Sequence, residues 1–438
     1  MEFLKKMIKS VEEESGKARA TADEILNDIE TRREEAVLEY AKKFDNWEGE
    51  VVVSPELKEQ LIAQVPEDMK RDIQFIHDQI REYALRQKEC LKEFDAFSTA
   101  GIRYGQRVVP IEVAGCYVPG GRFAFVCGAF MSIATAKAAG VPCIIASTGP
   151  QQGRATIPPE VCYAMDLAGA DVILQLGGAQ AIASLAFGLF GQKPVNILAG
   201  PGNAYVAEAK SILFGRGVCG IDLFAGPSEI AVIADETADP MSVAIDLVSQ
   251  AEHNPNTALW LFTTSRAVGE KVIEYMPKLI ESMPDPDVCT AAWRDYGVVI
   301  LCDSREQMVE ISDGYAPEHL EIMTRDTQWF LEKLRNYGSL FLGDLSCVPH
   351  GDKCSGPNHI LPTKKSAKYT GGLNVYKFLK VLTYQEATVE GARKIGEVAG
   401  PVGRMEGMEG HSRACDWRLT KYFPNVEWPF HVHRHPKL

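Results

Sequence analysis

Several short polar groups in this 438-residue chain combine side chains that ligate metals or move protons. Gln250-Ala-Glu-His253 sets an amide and an imidazole three residues apart, on one face of a helix that the preceding pattern supports. Imidazole is a common zinc ligand, and an amide oxygen is a tolerated one. Pro317-Glu318-His319 puts a carboxylate beside an imidazole just before a β-rich run. On an extended chain these neighbours point oppositely and serve two roles rather than one dyad. Gly351-Asp352-Lys353 and Asn358-His359 lie in a glycine-rich loop, and Glu406 and His411 flank Gly407 and Gly410 in another. Such groups suit metal binding and general acid–base chemistry near neutral pH. Taken singly, each is more often structural or solvated than catalytic.

A second kind of chemistry is written in glycines. Gly120-Gly121, Gly177-Gly178 and Gly200-Pro-Gly202 each stand where a β-rich run gives way to a helical pattern. Free N–H groups at such junctions receive phosphate oxygens, and glycine lets the backbone come close. None is a complete dinucleotide or P-loop fingerprint. Three in one block raise the odds of a nucleotide or dinucleotide site, with Tyr117 available to stack on a ring and Gln180 and Asn203 to hydrogen-bond.

The elements that must position these groups follow from hydrophobic period. Residues 1–100 read as a charged helical arm, with Asp23–Phe44 and Met69–Phe97 at helix-like spacing. β-rich runs at Val108–Val113, Val141–Ser147, Ala170–Leu176 and Val195–Ala199 alternate with helices, and Gly115–Gly121 reads as a turn cluster. Glu229–Asp235 opens a second block, continuing through Ala258–Thr263, Gly297–Leu301, Leu320–Met323 and Ser339–Leu342. Strands alternating with helices predict parallel βαβ units. The expected fold class is therefore α/β: two doubly wound, incomplete Rossmann-like domains with an N-terminal helical arm and a small C-terminal segment. The expected boundaries are 1–100 for the arm, 101–228 and 229–350 for the α/β domains, and 351–438 for the loop and helical C-terminal segment.

Composition narrows the function. With 46% hydrophobic and 24% charged residues and a net charge of −13, the chain is a globular protein without the basic excess of a nucleic-acid or anionic-membrane binder. No signal peptide or bilayer-length apolar run is visible, so a cytoplasmic location is expected. The 11 cysteines include no C-x-x-C pair, which favours reduced, buried thiols. Cys116 and Cys354, although in glycine-rich loops, read as bland rather than nucleophilic.

Ordered over nearly the whole chain, the segments YVPGG (117–121), GGAQA (177–181), GPGNAYVAEAK (200–210), GIDLFAGPSE (220–229), SQAEH (249–253), APEHLEI (316–322) and NHILPT (358–363) closely resemble the histidinol dehydrogenase family. That resemblance implies a zinc-containing, NAD-dependent homodimer that takes a primary alcohol to a carboxylate in two hydride transfers. It implies zinc ligands at Gln250, His253, Asp352 and His411, the last supplied across the dimer. It implies an acid–base pair at Glu318 and His319, cofactor contacts at Tyr117, Gln180 and Asn203, and substrate-side positions at Ser228, His359 and Glu406. No cysteine nucleophile is then required.

Other stretches are similar to a sulfonate-catabolic branch, the sulfopropanediol 3-dehydrogenases. Arg122-Phe-Ala-Phe follows YVPGG, and residues 363–385 carry Lys364, Lys365, Lys368, Lys377 and Lys380. AAWRDYG (291–297) and MTRD (323–326) share the likeness. Cations near a pocket favour an anionic substrate, and Arg122 and Lys377 are the expected counter-charges. The resemblance thus implies 2,3-dihydroxypropane-1-sulfonate as substrate, oxidised to 3-sulfolactate, with L-histidinol to L-histidine as the alternative that Glu406 keeps open. A non-catalytic zinc or nucleotide binder is the rival of another class, and it has no use for Glu318 and His319. The histidine-bearing tail, HVHRH (431–435), reads as flexible.

Overall fold

The computed structural model of the protein describes residues 1–9, 15–120, 124–151, 153–224 and 226–433. The chain divides into a larger unit, residues 1–88 with 110–378, and a smaller one formed by 89–109 with 379–438. In chain order the strands are β1 (Glu2–Lys5), β2 (Phe94–Phe97), β3 (Ile102–Pro110), β4 (Val113–Tyr117), β5 (Cys143–Ser147), β6 (Val172–Leu174) and β7 (Ile197–Ala199). They continue as β8 (Gly220–Ile221), β9 (Glu229–Ala234), β10 (Ala258–Thr263), β11 (Gly297–Leu301), β12 (His319–Met323), β13 (Ser339–Leu342) and β14 (Leu379–Ala387).

Within the larger unit, one sheet runs β6-β5-β4-β7-β8, all parallel. Strand order reverses at β4, which leaves a switch point between β4 and β7, where α/β sheets bind ligands. The second sheet runs β1-β11-β10-β9-β12-β13 and repeats that winding about β9. β1 is the exception, an antiparallel edge strand with Glu2 opposite Leu301. The α/β, doubly wound expectation is what the chain adopts. β9, β10 and β12 are buried along their whole length, because parallel strands covered on both faces read as continuous apolar runs. Phe262 near the carboxyl end of β10 is fully buried, and truncating such a side chain costs about 3–5 kcal/mol.

The turn cluster expected at Gly115–Gly121 begins later than the pattern suggested. Gly115 lies inside β4, where a Cβ would sit 3.1 Å from Val195 Cγ1. Glycine here admits Val195 and Leu198 against the strand rather than making a bend. The N-terminal helix Ser15–Arg32 buries Ile25, Leu26 and Ile29 in the same core as β4 and the helix Gly178–Phe187. Arg19 fastens it by an ion pair of 3.0 Å to Glu208. The first helix of the arm therefore packs on the helices Gly178–Phe187 and Ala204–Gly215 that cover the first sheet.

The smaller unit holds the sheet β14-β3-β2 and two packed helices, Val389–Met405 and Glu409–Tyr422. Gly396 and Gly403 give the helices their close approach: a Cβ on Gly403 would stand 2.6 Å from Ser412 Oγ. Opposite that glycine face, Ile395, Val398, Val402 and Met405 are exposed. Among the described residues, no helix is long and apolar enough to cross a membrane.

Candidate active site

At the carboxyl ends of β4 to β7 lies a cavity of about 450 Å³, lined by Tyr117, Gly120, Gly149, Gly177, Gly178, Gln180 and Asn203 among others. All three residues expected at a cofactor converge there. Tyr117 is buried, and its hydroxyl accepts from Gly178 N at 3.1 Å. The phenol is thereby held against the glycine turn, and burial pushes its pKa up to about 12. Gln180 Nε2 donates to Asp45 Oδ2 at 2.9 Å. Asn203 caps the helix Ala204–Gly215, its Oδ1 accepting from Tyr205 N and Val206 N. That acceptor is committed to the cap, which leaves the amide nitrogen of Asn203 for any further hydrogen bond.

The loop before Asn203 is pinned by a buried pair. Gly200, at φ 122°, packs so closely that a Cβ would overlap the Tyr117 carbonyl. Its N donates to Asp222 Oδ2 at 2.7 Å and its O accepts from Lys210 Nζ at 2.8 Å, while Lys210 and Asp222 pair directly. Both side chains are sealed from solvent.

A second polar centre forms at the opposite, amino ends of β9 and β12. The reversal before β12 is set by Ala316 in the left-handed region at φ 52°, which caps the helix Arg305–Tyr315. The bend that follows at Glu318 departs from the extended chain expected there. It brings Glu318 Oε2 within 3.5 Å of His319 Nδ1, so the two side chains share one site. His319 Nδ1 donates to the Glu229 carbonyl at 2.9 Å, and Glu318 Oε2 accepts from Glu229 N at 2.9 Å. His319 Nε2 is left facing Asp352 Oδ1 at 3.4 Å. Burial raises the Glu318 carboxyl to about 8. Burial alone would lower His319, yet the charges of Glu318 and Asp352 outweigh it and raise the imidazole to about 9. Asp352 responds inversely: His319, His359 and Lys353 overcome its burial and hold it well below the usual carboxylate range.

Of the expected metal ligands in the larger unit, Asp352 and His253 interact with His319. Gln250 is buried near the end of the helix Pro240–Ala251, and its Oε1 has no hydrogen-bond partner among the described residues. The helix stops before His253, which continues as a turn through its N–H to the Gln250 carbonyl at 3.2 Å. Desolvation lowers the His253 ring pKa, while the Asp352 charge works against it. His359 Nδ1 donates to the Asp352 carbonyl at 2.7 Å, which fixes its tautomer. Asp352 and His359 line a cavity of about 300 Å³ with His350, Ser346, Ser355 and Asn358. An orphaned amide oxygen, an imidazole and an ionised carboxylate make an N/O donor set that suits zinc. Among the described residues, no three His, Cys, Asp or Glu side chains form a ready cluster.

The remaining expected residues are dispersed. Ser228 directly precedes β9, and its carbonyl accepts from Ala258 N at 3.1 Å. Glu406 caps the helix Val389–Met405 and His411 lies on the helix Glu409–Tyr422, both exposed in the smaller unit. Lys377 is half-buried in the short helical turn Val375–Phe378. Arg122 lies outside the described residues. Cys116 is buried and its thiol is pushed up to about 12 by desolvation, so it is no nucleophile.

Three participants escaped the sequence reading. Glu229, raised to about 7 by burial, bridges His319 and the Lys364 N–H at 2.8 Å. Asp45 enters the cavity beside Tyr117 and Gln180 from the end of the helix Glu34–Asp45. Lys353 adjoins Asp352 and has no ion pair among the described residues, and its charge reaches His253, Asp352 and His359. Only Lys353 had a usable signal, a cation next to an expected ligand.

Comparison with known proteins bears on the family and the fold. Residues 8–419 match the profile described as histidinol dehydrogenase. A sulfopropanediol 3-dehydrogenase of Ruegeria pomeroyi is 48% identical over 97% of this chain and 98% of its own length. A histidinol dehydrogenase homologue of Pelagibacter ubique is 48% identical over 96% of the chain and 98% of its own. The crystal structure of histidinol dehydrogenase from Elizabethkingia anophelis superposes with a TM-score of 0.87, at 31% identity and 94% coverage of both chains. With the profile spanning nearly every element described above, the chain belongs to the histidinol dehydrogenase family of oxidoreductases.

Proposed function

We propose that this enzyme oxidises a small anionic primary alcohol to its carboxylate with NAD, and that the substrate is 2,3-dihydroxypropane-1-sulfonate, converted to 3-sulfolactate. The overall change is R–CH2OH + 2 NAD⁺ + H2O → R–COO⁻ + 2 NADH + 3 H⁺. The observation that carries the anionic substrate is Lys353, a cation with no ion pair among the described residues that adjoins Asp352 and whose charge reaches His253, Asp352 and His359. The 48% identity to a sulfopropanediol 3-dehydrogenase supports the same reading. Arg122 and Lys377 are proposed as further counter-charges. Glu406 favours the second reading, L-histidinol, since a carboxylate suits an ammonium group.

Each residue has a defined task. His319 is held by the Glu229 carbonyl through Nδ1, so Nε2 is the atom that exchanges the hydroxyl proton. Glu318, kept protonatable by burial, exchanges a proton with the water that hydrates the aldehyde. The cavity bearing Tyr117, Gln180 and Asn203 would hold NAD, its glycine turns offering backbone N–H groups to phosphate oxygens. Gln250, His253 and Asp352, with His411 of a partner subunit, would hold zinc. That ion would supply Lewis-acid polarisation of the alcohol oxygen and would offset the Asp352 charge that keeps the proton on His319. A homodimer is part of the proposal, supported by the apolar face of Ile395, Val398, Val402 and Met405 that the smaller unit leaves exposed.

The test is NADH formation across sulfonated and aminated primary alcohols at equal concentration. The proposal expects the sulfonated diol to have the highest kcat/KM. Preference for L-histidinol would replace the substrate while leaving the family chemistry in place.

A further inference from the structure

The cofactor cavity carries a feature that bears on which nicotinamide cofactor enters. Its apolar edge is made by Ile25, Phe44 and Tyr205, and its floor by the turn Gly177-Gly178. Asp45 is the sole carboxylate of its lining, and neither lysine nor arginine lines it among the described residues. Asp45 Oδ2 accepts from Gln180 Nε2 at 2.9 Å, which orients the carboxylate, and Oδ1 has no protein hydrogen bond among the described residues. A Cβ on Gly177 would lie 3.8 Å from Asp45 Oδ2, so the acid stands directly over the β6 turn.

Topology shows why that place matters. In a dinucleotide-binding half, an acidic residue near the second strand hydrogen-bonds the adenosine ribose diol of NAD, and an arginine nearby accommodates the 2′-phosphate of NADP. The second strand of this winding is β5, which runs out through Ser147-Thr148-Gly149 without an acid, and Ser147 Oγ is spent on the Leu176 carbonyl at 2.8 Å. Asp45 brings a carboxylate to the same β5–β6 edge from outside the sheet, 135 residues before its partner Gln180.

We propose that Asp45 is the specificity residue for the cofactor: its carboxylate receives the ribose hydroxyls of NAD and turns away the 2′-phosphate of NADP. A diol donates two hydrogen bonds to a carboxylate, whereas a phosphate dianion meets it with like charge and, among the described lining residues, no compensating cation. Burial raises the Asp45 pKa and Gln180 opposes that rise, in keeping with a carboxylate poised at the cavity wall. The inference rests on the reading of this cavity as the cofactor site.

Direct titration of NAD and NADP into the zinc-loaded enzyme, by calorimetry, separates the two ideas. Wild type should bind NAD far tighter than NADP. Asp45→Asn should weaken NAD about ten- to hundredfold, the range of a lost hydrogen bond to a charged group. NADP should bind no worse, so the ratio of the two Kd values falls at least about tenfold. An unchanged ratio in Asp45→Asn overturns the proposal. Asp45→Ser carries the same expectation should the asparagine variant fold poorly by circular dichroism. Thr21→Trp, which puts an indole on the cavity lining, should abolish binding of both nucleotides. Undiminished NAD binding in that variant would instead refute the location of the cofactor.

Discussion

Replacing Lys210 by methionine tests how the Gly200 loop is held. The ammonium lies between the Gly200 carbonyl, at 2.8 Å, and the Asp222 carboxylate, with both charged side chains excluded from water. Methionine keeps the length and apolar stem of lysine but leaves Asp222 buried without its counter-charge. Gly200 loses the partner of its carbonyl as well. Asp222 retains the N–H groups of Gly200 and Leu223, each at 2.7 Å, which limit the damage but do not neutralise the charge. Breaking one side of a buried ion pair costs about 3–5 kcal/mol, a large share of the roughly 5–15 kcal/mol that separates folded from unfolded chains. Urea unfolding followed by tryptophan fluorescence should show that loss as a lower midpoint at constant slope. Adding Asp222→Asn removes the stranded charge, so the double variant should be more stable than the sum of the singles by about 1–3 kcal/mol. NAD affinity should fall in Lys210→Met, because Gly200 leads into Asn203. A loss below about 1 kcal/mol, or an additive cycle, would refute the view that this pair pins the loop.

Other perturbations address the polar centre. Gln250→Leu should leave the stability of chelator-treated protein unchanged or improved, since Oε1 makes no hydrogen bond among the described residues, and should weaken zinc binding by equilibrium dialysis; a destabilised metal-free variant would argue for a structural amide. Glu229, raised to about 7, contributes stability that is fully present below the ordinary carboxylate value of 4.5 and is lost as pH rises through about 7. Glu229→Gln should therefore lose less stability than wild type between pH 5 and pH 8, by up to about 3 kcal/mol in urea midpoints, and equal losses would contradict the burial effect. Glu318→Gln should slow oxidation of the alcohol to the acid by about 10²–10⁴-fold, with more aldehyde trapped by semicarbazide during turnover; an unaltered aldehyde yield would remove Glu318 from the hydration step.

Much of this arrangement is legible in the sequence because it is local. The apolar runs that become β9, β10 and β12 are continuous since both sheet faces are covered. The glycine junctions mark the ends of β4, β6 and β7, and the three residues read from them line one cavity. What the pattern concealed is long-range. β1 is four residues with charged ends, and its place depends on β11, nearly 300 residues away. Residues 89–109 read as the close of a helical arm and the start of a domain, whereas β2 and β3 join β14 in the smaller unit. The bend at Glu318 depends on Ala316 in a left-handed conformation that alanine seldom signals. Asp45 ends an ordinary amphipathic helix, and only the folded chain sets it against Gln180.

The most direct measurement is the stoichiometry of NADH formed per 2,3-dihydroxypropane-1-sulfonate consumed by zinc-loaded enzyme, with the product identified by mass spectrometry. Two NADH per alcohol and 3-sulfolactate as product are expected, with turnover lost on chelation and regained with zinc. One NADH per alcohol with the aldehyde as product, or no reaction with this diol beside rapid oxidation of L-histidinol, would contradict the assignment.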